Sequence, residues 1–428
     1  MRAAKVGVLG LVAVGLSVAC SRWTGRWDAV PPDPAAATPP LLAVAPAAGP
    51  REAPQTHAVV LVVLDGVRWQ EVFLGVDRAQ LRRIGAPTTG ALSAEQLLPN
   101  LYRRVIARGF ALGAPDHGAP VSASGPYFVS MPGYREIFSG APDATCTGNA
   151  CPVIDRLTVV DLVRAASPRD EDAAVVASWD VLDRTAASRP ERAVMSTGRD
   201  LGANRARIAA ASPRCAALLE EGHRAGPWPG HGGYRPDRIT APLALAYLEA
   251  ARPRFLFVGL GDTDEFAHAS DYRGYLGALQ AADRFLGDLD ATLERLGLRE
   301  TTSILVTTDH GRAWNFHSHG RSEPESGRVF LAGAGGAIPA VGYAEARPGA
   351  TLSAVAPTIL GLLGVGSASG AAEEPWLAAG RLPPWRGGST APVVAVHAER
   401  MLPGGALLHR GGEALLAGTS PSSNATPK

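Results

Sequence analysis

Neither sign of charge is in excess in this chain of 428 residues, where 41 lysines and arginines face 40 aspartates and glutamates for a formal net charge of +1. Without a field of one sign, the composition argues against nucleic acid and against an acidic partner. Charged residues as a class are sparse, at 19% beside 46% hydrophobic residues, which excludes global disorder and leaves enough apolar material for a large core. Long apolar runs are missing too. The one candidate, residues 6–19, is too short for a comfortable membrane span. No internal repeat is present.

Arg2 and Lys5 precede that short run, which is the pattern of a signal-peptide core, so residues 1–19 are expected to be a leader. The run ends in Leu16-Ser17-Val18-Ala19-Cys20, which resembles a bacterial lipobox with Cys20 as the lipidated, mature N-terminus. Leu16 stands one place further from the cysteine than the usual pattern has it, and a cleaved signal with an incidental cysteine is the alternative. On either reading the protein is exported. The lipidated form is expected in the periplasm or at the outer membrane, with the membrane as a partner through the anchor at Cys20. Residues 20–56, rich in proline and alanine, read as an extended tether. With Cys20 spent on lipid, three of the four cysteines remain, too few for a four-cysteine metal knot. Metal chemistry must then come from histidine and aspartate. Cys146 and Cys151 lie a turn apart and are expected to form a disulfide in an oxidising compartment, leaving Cys215 odd.

From residue 57 onward, short β-branched runs alternate with helical stretches, the signature of an α/β fold with a mainly parallel central sheet and helices on both faces. Strands are expected at Ala58–Leu64, Ala173–Ala177, Phe255–Leu260, Ser303–Val306 and Val329–Ala332, each apolar enough for burial on both faces. Leu279, Ala282, Leu286, Leu289, Leu293 and Leu296 form one helical stripe. Leu352–Leu363 reads as a later helix, with Pro357 tolerable only in its first turn. The catalytic domain is expected to span 57–410, followed by a disordered tail at 411–428.

Three of these strands lead into chemistry. Leu64 is followed by Asp65, Leu260 by Asp262 and Asp264, and Thr308 by Asp309 and His310. In an open parallel sheet the ligand crevice lies at the carboxyl ends of the strands, so these groups should converge. Clustered carboxylates repel unless a cation sits among them. Asp264 and His268 stand four residues apart, and Asp309-His310 is a second oxygen and nitrogen pair. His317 and His319 follow in the next loop. Mixed aspartate and histidine donors suit zinc better than calcium or magnesium. Taken singly, each is as readily a satisfied polar residue at a strand end; their concurrence is the argument. Ser130, in Val129-Ser130-Met131-Pro132-Gly133-Tyr134, is expected at the start of a helix running to Ser139 with Gly140 as its stop, where an anionic phosphoryl group is favoured. Its plain alternative is an N-cap. His57, His117, His223 and His231 lie in loop-like contexts and are expected to be solvated.

The order Val-Val-Leu-Asp65-Gly, Ser130-Met-Pro-Gly-Tyr, Gly-Asp-Thr-Asp264-Glu-Phe-Ala-His268, Thr-Thr-Asp309-His310-Gly and His319-Gly resembles the alkaline phosphatase superfamily over about residues 58–365. At the metal ligands it looks most like nucleotide pyrophosphatase/phosphodiesterases. The resemblance implies an alkaline-phosphatase-like three-layer sandwich and two divalent ions, zinc by the donors. Asp65, Asp309 and His310 would hold one beside a nucleophilic Ser130; Asp264, His268 and His319 would hold the other, with His317 or His397 as alternatives for the last place. The implied activity is a metal-dependent phosphoric ester hydrolase, a phosphodiesterase or phosphomonoesterase. Its substrate would be a small-molecule, lipid or glycan phosphate ester. The sulfatase pattern with its arginine after the nucleophile is missing here, as is the Asp-Ser-Ala motif of alkaline phosphatase proper. Phospho-group transfer, a sulfatase-like reaction and a non-catalytic envelope lipoprotein are the competing readings.

Overall fold

A computed structural model of the chain describes residues 55–200, 202 and 204–366. The leader, Cys20, the tether up to residue 54, His397, the expected domain end at 410 and the tail lie outside the described residues. Among those described, no helix is long and apolar enough to cross a membrane.

Ten strands form in chain order: β1 (Ala58–Leu64), β2 (Gly109–Leu112), β3 (Val121–Ser122), β4 (Ala173–Ala177), β5 (Val194–Thr197), β6 (Phe255–Leu260), β7 (Thr302–Thr307), β8 (Arg328–Val329), β9 (Leu331–Ala334) and β10 (Gly342–Tyr343). Eight of them make one sheet in the order β10-β2-β9-β7-β1-β6-β4-β5, and β3 pairs with β8 apart from it. Within the eight-stranded sheet pairing is parallel except where β9 lies antiparallel to β7 and β2, and the β3–β8 pair is antiparallel. This is the mainly parallel α/β sheet the strand pattern predicts.

Alternation along β1 explains the layers, because successive side chains of a strand point to opposite faces. Val60, Val62 and Leu64 join one core cluster, while Val59, Leu61 and Val63 join the other. The helices that matter below are α1 (Ser130–Ser139), α2 (Asp237–Ala251), α3 (Asp262–His268), α4 (Tyr272–Arg295) and α5 (Val355–Leu363). α2 and α4 cover the first face, through Leu243, Tyr247, Leu279, Leu286 and Leu293; α1 and α5 cover the second, through Ile137, Phe138, Val355 and Ile359. At about 1.5–3 kcal/mol for each buried Val, Leu, Ile or Phe, two such faces dominate the stabilisation.

The expected strand Val329–Ala332 is corrected. The chain changes partners at Phe330: Val329 pairs with Val121 on the small sheet, and Leu331 begins the antiparallel pairing with Thr307. Between β7 and β9 the chain forms no α-helix that could cover the sheet in a crossover, only loop, a 3-10 turn at Pro324–Gly327 and β8, and β9 returns antiparallel. The helix that carries the stripe runs from Tyr272, where Asp271 caps it, to Arg295, which leaves Leu296 as its C-cap. Pro357 does sit in the first turn of α5, which follows a short 3-10 turn at Leu352–Ala354.

Candidate active site

Convergence at one end of the sheet follows from strand order. β7, β1 and β6 are adjacent, with Val63 beside Thr307 and Leu64 beside Leu260, so all three strands end at the same level. Asp65, α3 and Asp309 therefore emerge side by side. The Asp65 amide donates to Leu260 O at 2.9 Å, and the Gly66 amide donates to Asp309 Oδ1 at 3.1 Å. Asp309 and His310 are completely buried, and Asp65, Ser130 and Asp264 are nearly so.

Ser130 arrives from the other direction. Val129 is the N-cap of α1 and makes no side-chain cap; Ser130 is the first helical residue, and Gly140 closes the helix at φ 72°. The plain alternative, a serine spent on capping, is thus not what this hydroxyl does. Its Oγ donates to Asp65 Oδ1 at 3.4 Å and lies 3.2 Å from His310 Nε2. Gly133, one turn on, explains how α1 comes so close: a Cβ there would collide with the Asp309 carbonyl oxygen.

Two donor groups result. Asp264, His268 and His319 bring ligand atoms within 4.8 Å of one another, and so do Asp65, Asp264 and His310, so that Asp264 reaches into both. His268 Nε2 stands 3.0 Å from Asp264 Oδ2 and 3.1 Å from His319 Nε2. His317 instead turns its Nδ1 to Ser270 Oγ at 3.2 Å, so of the two loop histidines it is His319 that joins the cluster. Asp262 faces away, accepting from Tyr234 Oη at 2.7 Å and from the Asp237 amide at 3.1 Å.

The chemistry of these donors fits a cation. His310 Nδ1 lies 2.9 Å from Gly311 O, and His319 Nδ1 lies 2.9 Å from Phe128 O. A carbonyl only accepts, so Nδ1 carries the proton in each ring and Nε2 presents its lone pair inward. Asp309 Oδ2 is buried with no hydrogen-bond partner and lies 3.5 Å from His310 Nε2. An orphaned carboxylate oxygen among inward lone pairs is costly alone and apt for a metal ion. Titration behaviour agrees. Burial, with the charges of Asp309 and Asp264, holds Asp65 well above the usual carboxylate range. Burial, then Asp264, pushes Asp309 up to about 7. Burial pushes His310 down to about 4, and burial together with His310 pushes His319 down to about 3. Burial works against Asp264 as well, yet the Arg312 guanidinium and His268 hold it well below the usual range.

Three participants escape a reading of the sequence. Tyr134 Oη donates to Asp65 Oδ2 at 3.0 Å; its position one helical turn after Ser130 is the signal that could have found it. The Met131 amide donates to Asn149 Oδ1 at 3.0 Å, so the loop closed by Cys146 and Cys151 lies against the start of α1. Those two cysteines are disulfide-bonded with Cα atoms 5.5 Å apart. Arg312 has no sequence signal at all. Cys215 is buried and free. Among the discounted histidines, His223 is helical rather than in a loop, closing Pro213–Arg224 beside Asp200.

The family model described as type I phosphodiesterase / nucleotide pyrophosphatase matches residues 184–319, a segment that holds Asp264, His268, Asp309, His310 and His319. The resemblance to the alkaline phosphatase superfamily holds. Wild-type alkaline phosphatase PafA shares the fold at a TM-score of 0.50 and 12% identity, over 76% of this chain and 99% of that one. A putative sulfatase from Bacteroides thetaiotaomicron follows at 0.49 and 11%, over 75% of this chain and 73% of its own. An alkaline phosphatase superfamily protein from Vibrio parahaemolyticus aligns at 0.46 and 13%, over 73% and 69%. No curated protein matches the chain. By their names, the matched family is a phosphodiesterase / nucleotide pyrophosphatase and the similar structures include an alkaline phosphatase and a putative sulfatase.

Proposed function

We propose that this chain is an exported, metal-dependent phosphoric ester hydrolase with Ser130 as nucleophile and two divalent ions, zinc by the donor chemistry. Asp65, Asp309 and His310 would hold one ion, and Asp264, His268 and His319 the other. The observation that carries the reading is the setting of Ser130 Oγ, 3.2 Å from His310 Nε2 in the first turn of α1, beside three buried carboxylates and two inward imidazole lone pairs. The bound ions supply Lewis acidity toward the phosphoryl oxygens and lower the pKa of a neighbouring hydroxyl.

The chain's own residues do the rest. Ser130 Oγ forms a bond to phosphorus as the bond to the ester oxygen breaks, and the alcohol leaves; water then attacks the seryl phosphate, releases phosphate or its monoester, and regenerates the hydroxyl. Asp65 Oδ1 accepts from the serine hydroxyl, and Tyr134 fixes the other oxygen of that carboxylate. The absence of an arginine three residues after Met131, where the sulfatase pattern needs one, favours phosphate over sulfate esters.

The test is zinc analysis of the purified full chain together with turnover of nitrophenyl phosphate mono- and diesters. About two zinc ions per chain are expected, with turnover abolished by chelation and restored by zinc. Full activity after dialysis against chelator, or no turnover of any phosphate ester by a zinc-loaded chain, contradicts the proposal.

A further inference from the structure

Among the described residues, Arg312 is the one cation buried against the ligand cluster, and the proposed reaction does not use it. Its side chain is wholly inaccessible. Nη2 donates to the Asp264 carboxylate and, at 3.1 Å, to the Asp264 carbonyl; Nη1 donates to His317 O at 2.6 Å and to Phe316 O at 3.4 Å. Asp264 belongs to the first turn of α3, whereas Phe316 and His317 belong to the loop that delivers His319. One planar guanidinium therefore joins the two segments that share a ligand set. Gly66, at φ +62°, leaves the space for this junction: a Cβ there would collide with Asp264 Oδ1 and stand 3.2 Å from Arg312 Nε.

Two effects of such a residue oppose each other. A fixed positive charge beside a cation site repels the cation, so on charge grounds alone its removal should tighten binding. As a bidentate clamp it fixes the spacing of Asp264, His268 and His319, so its removal should loosen binding; groups that orient metal ligands are worth about 10–100-fold in affinity. Four acceptors on two segments, all served by one rigid fork, favour the clamp.

We infer that Arg312 is a positioning residue that sets the metal affinity of the Asp264, His268 and His319 set by locking the His319 loop to α3. This rests on the two-ion reading above. The prediction is graded: the set containing Asp309 and His310 shares only Asp264 with the clamp and takes nothing from the His319 loop, so it loses less affinity.

The experiment counts zinc per full-length chain across a series of chelator-buffered free zinc concentrations, for wild type, Arg312→Lys and Arg312→Met, with far-UV circular dichroism confirming the fold. Lysine keeps the charge but cannot span the four acceptors, and it preserves the test if the methionine variant fails to fold. Each variant should fill one of its two zinc sites only at about 10–100-fold higher free zinc, with the other weakened less. Wild-type affinity at both sites in Arg312→Lys, tighter binding in Arg312→Met, or equal weakening of both sites overturns the clamp. A wild type that binds no zinc overturns the two-ion reading itself, which separates the two failures.

Discussion

Asp309 carries an open conflict between burial and charge. Its carboxyl is completely buried, one of its oxygens has no hydrogen-bond partner, and burial with the Asp264 charge pushes its pKa up to about 7. His310 and His319 are pushed the other way, to about 4 and about 3, so at neutral pH both rings are already neutral and ready to bind. The proton that zinc must displace therefore sits on the carboxylates. Below pH 7 the metal-free state holds an extra proton at Asp309 and the zinc-bound state does not, so apparent zinc affinity should climb as pH rises toward 7. Calorimetry at pH 6 in buffers of different ionisation enthalpy should register at least about one proton released per chain. No release at pH 6 contradicts this assignment.

At the scale of elements, the site depends on how closely α1 approaches the end of β7. Gly133 is the contact, since any Cβ there meets the Asp309 backbone, which cannot rotate away. Gly133→Ala should cost about 1–3 kcal/mol in urea unfolding and lower turnover, because Ser130 moves with the helix. A change within about 0.5 kcal/mol, as for an ordinary surface substitution, contradicts that account. The same scale explains what can be read from the chain in advance. β1, β4 and β6 are continuous apolar runs buried on both faces, and their bounds follow from that pattern alone. β2 (Gly-Phe-Ala-Leu) and β5 (Val-Met-Ser-Thr) escape because they are short and carry small or polar residues that only the sheet context makes strand-like. The ligand residues are legible because acids and histidines directly follow buried strands. Arg312 and Asn149 are not, because their partners are fixed by tertiary packing: Arg312 meets Asp264 from 48 positions away.

At the scale of the whole molecule, the fold likeness extends over 76% of the chain, whereas the matched family segment stops short of Asp65 and Ser130. The case for those two residues therefore rests on strand order and on the geometry around the serine. The anchor expected at Cys20 has its own test: Cys20→Ser should move the full-length protein from the membrane to the soluble fraction of an expressing cell, and a wild type found wholly soluble contradicts it. The central claim, a covalent route through Ser130, is tested most directly by trapping the intermediate. The zinc-loaded chain is mixed with a nitrophenyl phosphate ester, quenched in acid and digested, and the peptides are sequenced by mass spectrometry, alongside Ser130→Ala turnover at measured zinc content. The account predicts phosphate on Ser130 and, in the zinc-replete alanine variant, turnover lower by several powers of ten. Full turnover in zinc-loaded Ser130→Ala, with no phosphoserine in the wild type, would contradict it.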